Sequence, residues 1–288
     1  MTGRLVVVGT PIGNLGDLSP RAADALRSAD LVVAEDTRVA AKLLRFIGAR
    51  RPTVSFTAHN AASRVPELLE RLGQGDTLAL TSDAGMPAVS DPGAELVAAA
   101  RAAGHVVEVV PGPSAVTAGM ALAGVSGGGF LFGGFLPARP PTARFAALER
   151  LVTAAGTLSL PVVLFEAPHR VSRLLGELDR LTGMHPDLQV AAGRELTKVH
   201  EEVVAGTPAQ VAAALPTPRG EFTLVVSGLA SPSVPSGPAV DATAIADVAL
   251  RAGLSERTIT DLLRAAGVPR REAYQVVRER GKGAVRDR

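Results

Sequence analysis

Three short segments rich in glycine, proline and small polar residues have the makings of a ligand site: 9–14 (Gly-Thr-Pro-Ile-Gly-Asn), 81–93 and 111–115. Each follows a short apolar or β-branched run, so each reads as a turn leaving the carboxyl end of a strand. Open parallel sheets bind ligands along that edge. Glycine there lets backbone N–H and C=O groups approach a ligand closely. Any one of the three, taken alone, reads equally well as an ordinary βα connection. The first, Gly9-x-x-x-Gly13, lacks the G-x-G-x-x-G spacing of dinucleotide sites and has no Walker lysine, which argues against nicotinamide chemistry and nucleotide triphosphate hydrolysis. With no cysteine there is no disulfide, no zinc–thiolate site and no cysteine nucleophile, and no metal is expected.

The elements that must position these segments follow from periodicity and caps. Strands are expected at Leu5–Val8, Asp30–Ala34, Thr53–Phe56, Thr77–Leu80 and Val106–Val110, alternating with helices that start at Ser19-Pro20 and span Val39–Phe46, Pro66–Leu72 and Ala94–Ala103. The glycine cluster from Gly124 to Gly129 reads as an interdomain hinge. Beyond it come strands at Phe130–Phe135, Pro161–Phe165, Leu188–Ala192 and Phe222–Val226, with helices at Ala143–Ala155 and Arg170–Leu181. His59-Asn60 is a polar pair to which the sequence assigns no role. The expected organisation is a first α/β domain over 1–123, a second over 124–229, a Pro/Ser-rich linker over 230–240 and a small helical domain over 241–288. Its last helices, one capped by Ser255 and one after Gly267-Val268-Pro269, suit a helix-turn-helix or a plain helical hairpin.

The chain has 288 residues, 47% of them hydrophobic and 20% charged, a balance that excludes a mostly disordered protein. No apolar run is long enough for a membrane span, and the first apolar stretch is too short for a signal peptide. A cytoplasmic globular protein is the expectation. Net charge is +2, but residues 241–288 hold ten basic against seven acidic side chains, a net +3 that leaves −1 for the first 240. A basic tail on a neutral body fits a nucleic-acid contact, and equally a solvated face in an arginine-biased chain whose lysines are only 42, 198 and 282.

Taken together, the polar segments carry a resemblance. Residues 9–18 (GTPIGNLGDL), 34–38 (AEDTR), 82–93 (SDAGMPAVSDPG), 111–115 (PGPSA), 134–137 (GFLP), 166–170 (EAPHR) and 193–202 (GRELTKVHEE) resemble, in order and spacing, the 16S rRNA cytidine 2′-O-methyltransferases of the tetrapyrrole methylase superfamily. The match runs from about residue 5 to about 228, and the basic helical tail is similar to that family's small C-terminal domain. Met86 stands where the family usually has threonine, and Arg139-Pro140-Pro141 replaces a more basic run. The resemblance implies two α/β domains of the tetrapyrrole methylase type, a homodimer, and S-adenosylmethionine in the cleft. By motif position it assigns cofactor contact to Pro11, Ile12, Asp83, Ala84, Gly85, Met86, Ser114 and Ala115, with Phe165, Phe222, Thr223 and Leu224 closing the site.

Methyl transfer to a ribose oxygen needs oxygen, methyl and sulfur held in line, and a base or nearby charge to help a poor nucleophile. The economical candidate is Lys198, which could lose its proton if desolvated, with Glu195 three residues earlier; Asp36 and Arg38 form a second pair. His169 and Arg170 are candidates to grip phosphate, and Arg270 and Arg271 to bind RNA from the tail. Each of these also reads as a salt bridge, a cap or a solvated charge. The expected partner is 16S rRNA or the small ribosomal subunit. A small-molecule methylase acting on a tetrapyrrole and a non-catalytic RNA-binding assembly factor are the alternatives.

Overall fold

The structure is a computed structural model and describes residues 3–125, 128–229, 241–266 and 268–284. The chain divides into two compact units, one through residue 232 and one from 233. The first ten strands and α-helices of the first unit are β1 (Arg4–Val8), α1 (Pro20–Ser28), β2 (Leu31–Ala34), α2 (Thr37–Phe46), β3 (Thr53–Ser55), α3 (Ala61–Gly73), β4 (Thr77–Thr81), α4 (Ala94–Ala102), β5 (Val106–Val110) and α5 (Ala115–Ala123). The five strands form one parallel sheet in the order β3-β2-β4-β1-β5. Side-chain alternation explains its two cores. Leu5, Val7, Val33 and Leu80 pack with Leu68 and Leu72 of α3 and Leu96 of α4, whereas Val6, Val8, Val32 and Ala79 pack with Leu26 of α1 and Leu43 of α2. Helices on both faces leave the carboxyl edge of the sheet for the three glycine-rich turns.

The second sheet contains β6 (Leu131–Phe135), β7 (Val162–Glu166), β8 (Gln189–Arg194), β9 (Glu202–Gly206) and β10 (Phe222–Ser227), in the order β6-β7-β10-β8-β9. Only β6 and β7 run parallel. The helices α6 (Pro141–Leu158), α7 (Pro168–Asp179) and α8 (Pro208–Ala214) cover one face, packing Leu148, Leu174 and Val211 against Leu164, Val190 and Leu224. The other face receives α5 from the first half of the chain, with Val116 against Val163, Ala191 and Val225. A Cβ on Gly119 of α5 would lie 2.6 Å from Thr223 Cγ2, so that glycine lets helix and sheet close up. The two sheets are thus joined through a helix that precedes the boundary expected at 123.

Several boundaries differ from expectation. Helix α3 starts at Ala61, five residues before Pro66, which it carries in its second turn. The strand β9 and the helices α5 and α8 were not expected. Asn60 now has a structural role: its Oδ1 accepts from Thr57 N at 2.8 Å and its Nδ2 donates to Ser55 O, bracing the turn after β3. The linker expected at 230–240 and residues 126 and 127 of the glycine cluster lie outside the described residues. In the second unit, α9 (Ala242–Arg251), α10 (Glu256–Ala265) and α11 (Arg270–Ala284) pack around Ala246, Ile259, Leu263, Ala273 and Val277. No helix among the described residues is long and apolar enough to cross a membrane.

Candidate functional site

The three glycine-rich turns meet because β1 lies between β4 and β5. Gly9 and Gly112 approach so closely that a Cβ on Gly9 would lie 2.5 Å from Gly112 N, leaving room for no side chain. Thr10 and Gly85 exchange backbone hydrogen bonds, Thr10 N to Gly85 O at 2.8 Å and Gly85 N to Thr10 O at 3.2 Å. The Thr10 hydroxyl donates to Ser82 O and Gly85 O. Gly85 takes φ +81°, a conformation glycine reaches without strain. From the second half of the chain, the turn after β8 docks on the first loop: Asn14 N donates to Thr197 Oγ1 at 3.1 Å, and Gly13 abuts the Lys198 stem.

Between these turns and the second sheet is a cavity of about 490 Å³, within the usual range for a small-ligand site. Its walls include Ile12, Asp83, Ala84, Gly85, Met86, Ser114 and Ala115 on one side, and Phe165, Phe222 and Thr223 on the other. Ten of the twelve residues that the resemblance assigns to the cofactor therefore line one cavity. The other two do not: Pro11 is buried outside the lining, and Leu224 points into the core beneath α6 and α7. Strand alternation separates Leu224 from Thr223. Phe165 stands in an aromatic wall, its ring 5.1 Å from Phe132 and 5.6 Å from Phe135.

The cavity also holds residues that sequence reasoning passed over: Glu35, Asp91, Glu166 and Glu221. Three of them fall inside motifs already quoted, so the signal was present but assigned to neighbours. With Asp83 they give the lining five carboxylates, and no lysine, arginine or histidine contributes to it among the described residues. Burial pushes the Glu35 carboxyl above its ordinary value, and the charges of Asp91, Asp83 and Asp36 push it further. Burial likewise raises Asp91, opposed by a hydrogen bond from Ser82 and reinforced by Asp83. Asp83 is oriented by the backbone N–H of Asp36, 3.0 Å from its Oδ1. Glu166 and Glu221 are paired with cations outside the lining, so Glu35, Asp83 and Asp91 carry the uncompensated charge, which favours a cationic ligand.

The expected catalytic pairs are placed as follows. Lys198 Nζ lies 3.0 Å from Glu195 Oε1 and 2.9 Å from Glu221 Oε2. Burial pulls its pKa down, but the two carboxylates outweigh that and the net shift is upward. The expectation that desolvation would strip its proton is thereby reversed: Lys198 is held as an ammonium. The Glu195 carboxyl is lowered, chiefly by the Glu221 backbone N–H that donates to it. Asp36 caps α2 and grips Arg38 through its Nε and Nη2, which brings Asp36 down to about 2. Neither Asp36 nor Arg38 lines the cavity. Arg170 Nε is 2.7 Å from Glu166 Oε1, an ion pair without hydrogen-bond alignment, so part of the guanidinium offered for phosphate is already engaged. His169 is exposed beside it. In the second unit Arg270 and Arg271 are exposed at the start of α11, Arg270 5.8 Å from the Tyr274 ring centroid.

Comparison with known proteins places the chain. Residues 4–212 match the family model described as tetrapyrrole (corrin/porphyrin) methylases. A Xylella fastidiosa (strain Temecula1) protein named ribosomal RNA small subunit methyltransferase I is 46% identical over 232 residues, covering 79% of this chain and 82% of that one. Proteins of the same name from Thermotoga maritima and Micromonospora olivasterospora are 40% and 38% identical. The first covers 78% of this chain and 99% of its own length, the second 96% and 87%. Among solved structures, a diphthine synthase superposes with TM-score 0.61 at 18% identity, covering 79% of this chain and 89% of its own. A uroporphyrin-III-C-methyltransferase from Thermus thermophilus gives TM-score 0.54 at 21% identity, covering 79% and 95%. At those identities the structural likeness shows the fold alone. Family match, relatives and fold agree: the chain belongs to the tetrapyrrole methylase family.

Proposed function

We propose that this chain is an S-adenosylmethionine-dependent methyltransferase that methylates the ribose 2′-oxygen of a cytidine in the 16S rRNA of the small ribosomal subunit. The observation that carries the reading is the cavity: it gathers ten residues assigned to the cofactor by motif and is lined by carboxylates without a cation. The relatives named as rRNA small subunit methyltransferases support the substrate class. S-adenosylmethionine fits such a lining because its sulfonium and ammonium are both positive; when bound it supplies an activated methyl group. Asp83, Glu35 and Asp91 would stabilise those charges, and the Phe165 ring adds cation–π attraction. Gly85 and Ala115 leave room beside the turns.

The 2′-hydroxyl must give up its proton as its oxygen attacks. Glu35 and Asp91, whose proton affinity burial raises, are the acceptors we propose, in place of Lys198. Lys198 instead holds Glu195 and Glu221 together at the rim. A shallow groove that shares Ile12 and Ser114 with the cavity gives the acceptor nucleotide a way in. A cytidine can present its 2′-hydroxyl there once it is splayed from its neighbours. Action in the cytoplasm as a homodimer belongs to the same reading, resting on the family resemblance.

The test is methyl transfer from labelled S-adenosylmethionine to undermodified small subunits and to naked 16S rRNA in parallel. Label on a cytidine 2′-oxygen in either sample is the expected result. Cofactor binding without transfer to RNA would move the reading to a small-molecule acceptor. Absence of cofactor binding would leave an RNA-binding factor.

A further inference from the structure

Beneath the cavity wall runs a chain of charges, buried at its centre, that the proposed chemistry does not use. Arg144 of α6 is fully buried. Its Nη2 donates to Glu166 Oε2 at 2.7 Å and its Nε to Glu177 Oε2 at 2.8 Å. Glu166 turns its other oxygen to the Ala167 backbone N–H at 2.9 Å and to Arg170. Glu177 turns its other oxygen to Arg173 Nε at 2.9 Å. Three arginines and two glutamates thus tie α6, α7 and the end of β7 together.

Stability alone is a poor reason for such a cluster. Buried ion pairs lose much of their Coulombic gain to desolvation, and apolar side chains of similar volume often serve as well. Arg144 also leaves Nη1 without a partner among the described residues, a further cost. What the cluster does fix is geometry. Glu166 is the last residue of β7, and Phe165, Glu166, Ala167 and Pro168 all line the cavity. Strand pairing carries Phe165 and Glu166 only as far as their register partners Thr223 and Phe222. Beyond that point the chain leaves the sheet, and the carboxylate of Glu166, held from two sides, sets its path into α7.

We infer that Arg144 is a positioning residue: without lining the cavity, it fixes through Glu166 the Glu166–Pro168 stretch of the wall against which the cofactor binds. The inference rests on the methyltransferase reading for its functional consequence, but not for its structural one. Lysine retains the buried positive charge yet offers a single point, unable to bridge two carboxylates as the guanidinium fork does. Arg144→Lys therefore tests the geometry while keeping the buried positive charge, and Arg144→Met tests loss of the charge as well. At a temperature where the variants are folded, the S-adenosylmethionine Kd of Arg144→Lys is expected to rise about tenfold, and more in Arg144→Met. Amide exchange should accelerate at Ala167 and its neighbours in Arg144→Lys, while Val162–Leu164 keep their protection. Unchanged exchange at Ala167 overturns the inference even if the wild type binds no cofactor, an outcome that would defeat the functional reading separately. A lowered melting temperature with wild-type Kd and exchange would also overturn it, showing Arg144 to be structural only.

Discussion

Glu35 and Asp36 are neighbours in the chain whose carboxyls shift in opposite directions, because one faces a crowded cavity and the other caps a helix beside an arginine. The sequence motif Ala-Glu-Asp-Thr-Arg makes the Asp–Arg pair conspicuous, and only the third dimension shows that Glu35 enters the cavity instead. The titration consequences follow from the signs. A raised carboxyl takes up a proton on folding, so ionised Glu35 and Asp91 cost stability near neutral pH, and that cost fades as pH falls through their elevated values. Asp36 contributes stability above its ordinary value of 3.8 that is lost as pH falls through about 2. Lowering the pH from neutral should therefore weaken cofactor binding before acid destabilises the fold. Calorimetric titration beside thermal melts checks this, and Glu35→Gln should flatten the profile; an affinity constant down to the melting limit would refute it. Glycines give a second contrast. Gly9→Ala would press a methyl against the Gly112 backbone, and cofactor binding should fall at least tenfold with about 1–3 kcal/mol of stability. Gly176→Ala, on the exposed face of α7 with nothing near it, should stabilise by about 0.5–1 kcal/mol. Denaturant melts of the two variants test both signs.

The elements legible in the sequence were those whose pattern and burial agree. Leu5–Val8 is apolar throughout because β1 is covered on both faces, and Ser19-Pro20 starts α1 as cap and first residue. Those that escaped have patterns set by their neighbours. Helix α5 contains Gly119, which local propensity counts against a helix, and which packing against Thr223 requires. Strand β9, Glu-Val-Val-Ala-Gly, is a half-exposed edge strand beside a charged turn, so neither alternation nor a continuous apolar run marks it. Helix α8 was readable: Thr207-Pro208-Ala209-Gln210 is a capping box, and both of its reciprocal bonds are present. Thr207→Ala removes one of them and should cost about 1 kcal/mol. Because no residue of α8 lines the cavity, methyl transfer by the folded variant should equal that of wild type. A cap variant that melted as wild type but lost activity would contradict this division of roles.

At the scale of the whole molecule the charges are unevenly divided, with the cavity carboxylate-lined and the second unit basic. Phosphates cannot approach Glu35, Asp83 and Asp91, which have no ion-pair partner among the described residues, without repulsion, so RNA affinity has to come from elsewhere on the chain. The helix α11 presents Arg270 and Arg271 to solvent with Arg278 two turns on, while Arg280 is paired to Asp247 at 3.6 Å. Tyr274, half exposed beneath Arg270, adds a surface on which an unpaired base can stack. The second unit has its own core around Ile259 and Leu263, and the first has its own cores on both sheets, so each should fold alone. A chain ending at 229 is therefore expected to bind S-adenosylmethionine with wild-type affinity and to bind 16S rRNA at least tenfold more weakly at low salt. In the full chain, replacing Arg270 and Arg271 with alanine should lower the slope of log affinity against log salt by about 0.7 for each phosphate that the two arginines neutralise. Filter binding across a salt series reads both effects. An unchanged slope would move the RNA contact off α11, to the exposed His169 side of the first unit.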